Sequence, residues 1–171
     1  NFKVALFNDV IGPTEEARFL GIDFDKRLSF KKHIEGICAK ANQRLNVLRA
    51  LSRAGVSPHI TMRLYKMYVR TLLEYGSSSF LASPKSNMEK LQKIQNEAIR
   101  ICLRLPRYIR IDLLHEYAGI DTIAVRLKML NQRLLATMVS TNEDIKKLAN
   151  QQHLTQTLAP KSPLDLLRSL D

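Results

Sequence analysis

Hydrophobic and polar positions fall into two periods along this chain. Over Phe2 to Phe7, and again over Arg18 to Phe24, β-forming residues alternate with polar ones, and Leu20, Ile22 and Phe24 share a face. Asn8-Asp9 and Gly12-Pro13 between the runs supply turn chemistry, so two short strands around a turn are expected, a β-hairpin. A hairpin alone is marginal in water. This one is expected either to pack on the helices or to belong to a larger sheet.

From Ser29 onward the period is helical. Ser29 is the expected N-cap of a first helix that reaches Arg53 with Phe30, Ile34, Ile37, Ala41, Leu45 and Leu48 on its apolar stripe, closed by Gly55. Ser57-Pro58 starts a second helix expected to run to about Phe80. It has two apolar faces, one with Ile60, Leu64, Tyr68 and Tyr75, the other with Met62, Tyr65, Val69 and Leu72, as a central helix requires. Ser86 to Glu89 reads as a capping box that opens a third helix, ended near Leu105 by Pro106. Ile111 to Tyr117 is a short helix closed by Gly119, Asp121 caps a fourth long helix to about Ser140, and Glu143 to Gln152 forms a further one. His153 to Ser162 reads as a linker, and Ser162-Pro163 as another helix start. The expected fold is mainly α: a short N-terminal β-hairpin, a basic three-helix bundle and further C-terminal helices. The divisions fall at 1–28, 29–106, 107–152 and 153–171.

Charge changes this picture. Residues 29–110 hold 7 Lys and 9 Arg against 4 Glu, a net of +12, while the remainder nets −1 within a total of +11. A charge this localised points to a polyanionic partner. A solubilising coat would mix both signs along the whole chain. The cations lie off the apolar stripes: Lys32, Lys40 and Arg44 on the first helix, Arg63, Lys66 and Arg70 on the second, Lys93, Arg100 and Arg104 on the third. They suit phosphate positioning, which gives affinity and a steep salt dependence without reading sequence. Phe19 and Phe24 of the hairpin are candidates for stacking on bases.

Other chemistry finds little support. Asp23 and Asp25, spaced i, i+2 on a strand, are the nearest approach to a two-metal carboxylate site, but no third carboxylate joins them and Asp25 opens a turn. Cys38, Cys102 and the four histidines match no zinc spacing, so no metal ligands and no catalytic residues are assigned. Both cysteines fall on apolar helix faces and read as reduced, buried thiols of an intracellular protein. No apolar run is long enough to span a bilayer, no signal peptide is evident, and the absence of an initial Met is read as an excised piece.

Phe19-Leu20-Gly21-Ile22-Asp23-Phe24-Asp25, then Leu28, Phe30, Lys32, His33 and Ile34, resembles the palm-to-thumb junction of reverse transcriptases from non-LTR (LINE-like, jockey-type) retrotransposons. Lys40-Ala41-Asn42 with Leu45 to Leu48, Tyr65-Lys66 with Val69-Arg70 and Leu73 to Gly76, Leu91 to Arg100 with Pro106-Arg107, and His115 with Ala118 to Ile120 resemble the family's successive thumb segments, in order. The resemblance covers about Phe2 to Leu135. Asp23 departs from it, standing where the family is usually apolar or variable.

The resemblance implies a piece of an RNA-directed DNA polymerase. Leu20, Gly21 and Ile22 would form the primer-proximal hairpin at the end of the palm, and the helices would be the thumb that holds an RNA–DNA hybrid of template and primer. The metal-binding aspartates would lie upstream, so no cofactor is expected in this piece, Mg²⁺ is expected in the parent polymerase, and the piece alone is expected to be inactive. The implied partners are RNA template, DNA primer and the upstream palm and fingers, with no membrane, in nucleus and cytoplasm. A protein partner is left open: the alternatives are a retroelement-derived helical protein-interaction module and a stand-alone nucleic-acid-binding helical domain.

Overall fold

The computed structural model describes residues 4–6, 9–11 and 14–150, with side chains described over 14–147. The expectations for residues 8 and 12–13, and for the linker and helix start within 151–171, lie outside the described residues.

The chain opens with two antiparallel hairpins. Strand β1 (Val4–Leu6) pairs with β2 (Asp9–Ile11), and β3 (Glu16–Phe19) pairs with β4 (Ile22–Asp25), with Glu16 opposite Asp25 and Phe19 opposite Ile22. The expected single hairpin between the two alternating runs is therefore replaced by one within each region. The Arg18–Phe24 run conceals a turn. Leu20 (φ 48°) and Gly21 (φ 80°) both adopt positive φ, the two-residue loop whose twist matches that of its strands. A leucine at positive φ carries no sequence signal.

Helix α1 (Lys31–Arg53) comes next. Its N-cap is Phe30 in the left-handed conformation, not Ser29. The capping groups come from Asp25, whose carboxylate accepts from the Arg27, Ser29 and Phe30 N–H groups and the Ser29 hydroxyl at 2.7–3.0 Å. These bonds hold Leu28 (φ 51°) and Phe30 (φ 56°) in a region that L-residues seldom occupy.

The second helix is a rod of three pieces: α2 (Pro58–Leu64), a π-helical turn (Tyr65–Arg70) and α3 (Thr71–Glu74). Ser57 caps it as expected, its hydroxyl accepting from Ile60 N–H. The π turn inserts one residue into the register. The buried stripe Met62, Tyr65, Val69 therefore continues with Leu73 rather than Leu72, and the second expected apolar face leaves Ile60, Tyr68 and Tyr75 exposed. The rod stops at Glu74, short of Phe80. Tyr75 is extended and Gly76 takes φ 69° before α4 (Ser77–Phe80).

Helix α5 (Lys85–Leu103) has Pro84 as its N-cap, so Ser86 lies inside it and no capping box forms. Asn87, one residue further on, is buried and donates from Nδ2 to the Ser29 carbonyl at 2.9 Å. Helices α6 (Ile111–Ala118), α7 (Ile123–Thr141) and α8 (Glu143–Asn150) complete the described residues. Thr122, not Asp121, caps α7.

The mainly α fold with short N-terminal β structure is thus the one observed. Helices α1 and α5 lie side by side and parallel, since Ser29 meets Asn87 and Arg49 meets Glu97. The rod runs antiparallel to both, with the Thr61 hydroxyl and the Cys102 thiol each bonded to the other residue's carbonyl. Ile34, Leu45, Leu48, Tyr65, Leu73, Leu91, Ile99 and Leu127 are fully buried between them. Each aliphatic side chain so buried contributes about 1.5–3 kcal/mol.

Candidate nucleic-acid interface

The hairpin tip is fastened to the rod at one point. Tyr75 donates from its hydroxyl to the Leu20 carbonyl at 2.7 Å, and a Cβ added to Gly21 would lie 3.8 Å from the Tyr75 ring. Beside it, a Cβ on Gly76 would come within 2.7 Å of Ile22 Cδ1. All three hairpin residues singled out by sequence, Leu20, Gly21 and Ile22, therefore meet Tyr75-Gly76. The tip itself stays open, with Phe19 65% and Leu20 72% exposed. Phe24 does not share that exposure. It is half-buried and packs edge-on against Phe30 at 5.5 Å.

A cleft of about 240 Å³ separates β3–β4 from α1. Arg18, Gly21 and Asp23 form one wall, and Lys32, Gly36 and Lys40 the other. Asp23 lies 3.7 Å from both the Arg18 guanidinium and the His33 ring, and Lys32 pairs with Glu16. Burial pushes the His33 imidazole below its usual value, against the opposing pull of Asp23. Asp25 lies two residues from Asp23, but its carboxylate is held below the usual aspartate range by the Ser29 N–H above all, with Phe30, the Ser29 hydroxyl and Arg27 adding to it. The two aspartates therefore serve different neighbours and do not converge. Among the described residues no three His, Cys, Asp or Glu side chains are placed to hold a metal ion. Burial pushes the Cys102 thiol up to about 11 and raises that of Cys38.

The nine cations singled out by sequence divide by what they touch. Arg44 stacks over the Tyr68 ring at 4.5 Å and donates to the Tyr68 carbonyl, which the π turn presents. Arg70 lies 3.2 Å from Glu74, which also holds Arg126 of α7 at 2.8 Å. Arg100 donates to the Ile109 carbonyl and Arg104 to the Val56 carbonyl, tying loops to α5. Lys32 has Glu16. The remaining four, Lys40, Arg63, Lys66 and Lys93, are exposed or half-exposed and have no hydrogen-bond or ion-pair partner among the described residues. They do not form one patch. Lys40 lines the hairpin cleft, Arg63 and Lys66 lie three residues apart on the rod flank, and Lys93 is on the outer face of α5.

Sequence reading did not single out Arg18 or Gly36 of the cleft, nor the Tyr75 clamp. Leu73-Glu74-Tyr75-Gly76 is conspicuous in the sequence, but nothing in it reveals that Gly76 makes room for Ile22, 54 residues earlier.

With this geometry in view, the chain is similar to RNA-directed DNA polymerases of transposons. One relative is described as a probable RNA-directed DNA polymerase from transposon BS of Drosophila melanogaster, 27% identical over 126 residues, which is 72% of this chain and 14% of the relative. Another is the probable enzyme of the X-element transposon from the same organism, 23% identical over 155 residues, 88% of this chain and 17% of the relative. The chain thus spans only about a sixth or less of the relatives it matches. No family model matches it, and no solved structure does so significantly. No helix among the described residues is long and apolar enough to cross a membrane.

Proposed function

We propose that this chain is part of the RNA-directed DNA polymerase of a non-LTR, jockey-type retrotransposon. In this reading residues 1–28 are the end of the palm, 29–106 the thumb, and 107–152 helices packed on it. The thumb grips the template–primer hybrid through phosphate contacts, and the catalytic aspartates with their Mg²⁺ belong to upstream palm sequence. The intracellular location is that of the parent enzyme, in cytoplasm and nucleus.

The observation that carries the reading is the clamp between Tyr75-Gly76 and Leu20 to Ile22. It makes hairpin and helical bundle one body. A tip near a primer end would thereby move with the helices that hold the duplex. A thumb must grip any sequence and let it slide, which favours phosphate contacts over base readout. Arg63 and Lys66, exposed on the rod and unengaged, suit that work better than Arg70, which Glu74 already holds.

The test is filter binding of an RNA–DNA hybrid across a salt series. The expected result is sequence-independent binding that weakens steeply with salt, and a loss of at least about tenfold in low salt when Arg63→Glu and Lys66→Glu are combined, since two phosphate contacts are removed. A folded double variant with unchanged affinity would sink the reading.

One observation favours the interaction-module alternative. The buried stripe of α7 (Ile123, Leu127) continues into Leu134 and Met138, which are 46% and 37% exposed. Hybrid binding that is absent in low salt, or indifferent to salt, is the outcome that would select it.

A further inference from the structure

At the end of the bundle away from the hairpins, where α1 ends, the rod begins and α5 gives way to α6, the exposed cations among the described residues include four arginines: Arg53, Arg104, Arg107 and Arg110. The elements are joined there by bonds already described. Arg104 reaches the Val56 carbonyl at 3.0 Å, Thr61 meets Cys102, and Arg100 reaches the Ile109 carbonyl at 3.2 Å. The turn Pro106-Arg107-Tyr108-Ile109 projects from this end, closed by Ile109 N–H on the Pro106 carbonyl at 3.4 Å. Its feet are fixed, because Leu105 and Ile109 pack on the core. Its two central residues, Arg107 and Tyr108, have no hydrogen-bond or ion-pair partner among the described residues. Tyr108 is 87% exposed, the most exposed large apolar side chain among the described residues.

We infer that the Arg107-Tyr108 turn is a binding site for single-stranded nucleic acid, with Tyr108 stacking on an unpaired base and Arg107, aided by Arg53 and Arg104, holding the flanking phosphates. The inference rests on the reading that the partner is nucleic acid, but not on the thumb assignment. A flat ring held out on a rigid turn offers a stacking platform at little entropic cost, and base–aromatic stacking tolerates any sequence. Arginine suits the surroundings better than lysine. Its planar guanidinium stacks on bases and bonds phosphate oxygens in pairs. Among the described residues only Arg110 at this end is already engaged by a carboxylate, that of Asp112 at 2.6 Å. A duplex presents no base face except at its ends, so the aromatic ring selects an unpaired strand, such as template entering or leaving a polymerase.

The experiment measures fluorescence anisotropy of labelled oligouridine, about 12 nucleotides long to match single-strand site sizes, against the 171-residue chain and its Tyr108→Ala, Tyr108→Phe and Arg107→Ala variants. Tyr108→Ala is expected to weaken oligouridine binding about 5- to 150-fold, the loss of one stacked base. Its salt slope should be unchanged, because no charge is removed. Tyr108→Phe should bind as the parent does. Arg107→Ala should lower the salt slope by about 0.7, the single-strand value for one phosphate. A blunt RNA–DNA hybrid should bind the parent and Tyr108→Ala alike. Failure of the parent chain to bind oligouridine, undiminished binding by Tyr108→Ala, or equal losses in the Ala and Phe variants would each overturn the inference. The thumb reading fails separately: if Arg63→Glu with Lys66→Glu leaves hybrid affinity intact while Tyr108→Ala still loses oligouridine, only the thumb assignment falls.

Discussion

The two ends of the helical bundle use their charges in opposite ways. At the hairpin end, three cations are paired with anions. Glu15 holds Lys26, Glu16 holds Lys32, Asp23 lies near Arg18, and Asp25 binds four N–H and O–H groups of the turn. Three non-glycine residues at positive φ, Leu20, Leu28 and Phe30, are kept in place by these bonds and by the Tyr75 clamp. At the arginine end, backbone geometry is ordinary apart from the left-handed Arg104 that closes α5 and Gly55 after α1, and Arg53, Arg107 and Tyr108 are exposed and unpartnered among the described residues. One end invests most of its polar groups in holding a shape, while the other leaves Arg53, Arg107 and Tyr108 free for a partner. Net charge counted along a sequence does not distinguish the two.

The largest effect that would break this comparison is at Gly76. Its φ of 69° suits glycine, and a methyl group there would collide with Ile22 Cδ1 at 2.7 Å. Gly76→Ala is expected to destabilise the chain by about 1–3 kcal/mol. That corresponds to a fall in Tm of roughly 2–12 °C for a chain of this size. Thermal unfolding monitored by circular dichroism measures it. An unchanged Tm would mean that the hairpin is not locked to the rod, and the contrast between the ends would be lost.

Gly76 also illustrates what the sequence could and could not reveal. The helical stripes were legible because burial repeats every 3.6 residues: Ile34, Ile37, Ala41, Leu45 and Leu48 are all buried as the pattern requires. The rod was legible in its start and its first turns. It then departs from the pattern where the π turn shifts the register, a backbone choice with no compositional mark. The hairpin pairing escapes the alternation because Leu20 takes a conformation that leucine avoids, and a long-range clamp enforces it. The cap of α1 went elsewhere because the Asp25 carboxylate reaches the turn before it, and α5 starts from Pro84 with no side-chain cap at all. Among the nine basic residues, their position on outer faces was legible. Which were already bonded was not, since Glu16, Tyr68 and the carbonyls of Val56 and Ile109 are brought to them by the fold.

A second effect belongs to the hairpin end alone and varies with pH. The Asp25 carboxyl titrates below the ordinary value of 3.8 in the folded chain because of its N–H donors. A carboxyl with a depressed folded value adds stability above the unfolded pKa and loses it as pH falls through the folded one. Acid unfolding of the parent chain should therefore contain a component, completed below pH 3.8, that is absent in Asp25→Asn. Urea midpoints measured from neutral pH down to that range should converge for the two proteins. Curves that stay parallel would show that Asp25 is not the group that fixes the turn into α1.

The smallest expected effect decides whether the hairpin end also meets a partner. Gly36 lies inside α1, where glycine costs about 0.5–1 kcal/mol relative to alanine, and a Cβ there would touch nothing within 4 Å among the described residues. Packing among the described residues gives no reason for glycine at this position, in contrast to Gly76. The same residue lines the cleft between Lys32 and Lys40, where a missing side chain leaves room for a ligand to approach the helix backbone. Gly36→Ala is therefore expected to raise stability by about 0.5–1 kcal/mol, read as a higher urea midpoint with an unchanged slope. If the cleft receives the sugar–phosphate backbone, the more stable protein should bind RNA–DNA hybrid less tightly, because a methyl group occupies the space of close approach. If hybrid affinity is unchanged, the cleft is only a seam between hairpin and helix. The charges there would then serve the fold, and nucleic-acid contact would be left to the rod flank and the arginine end.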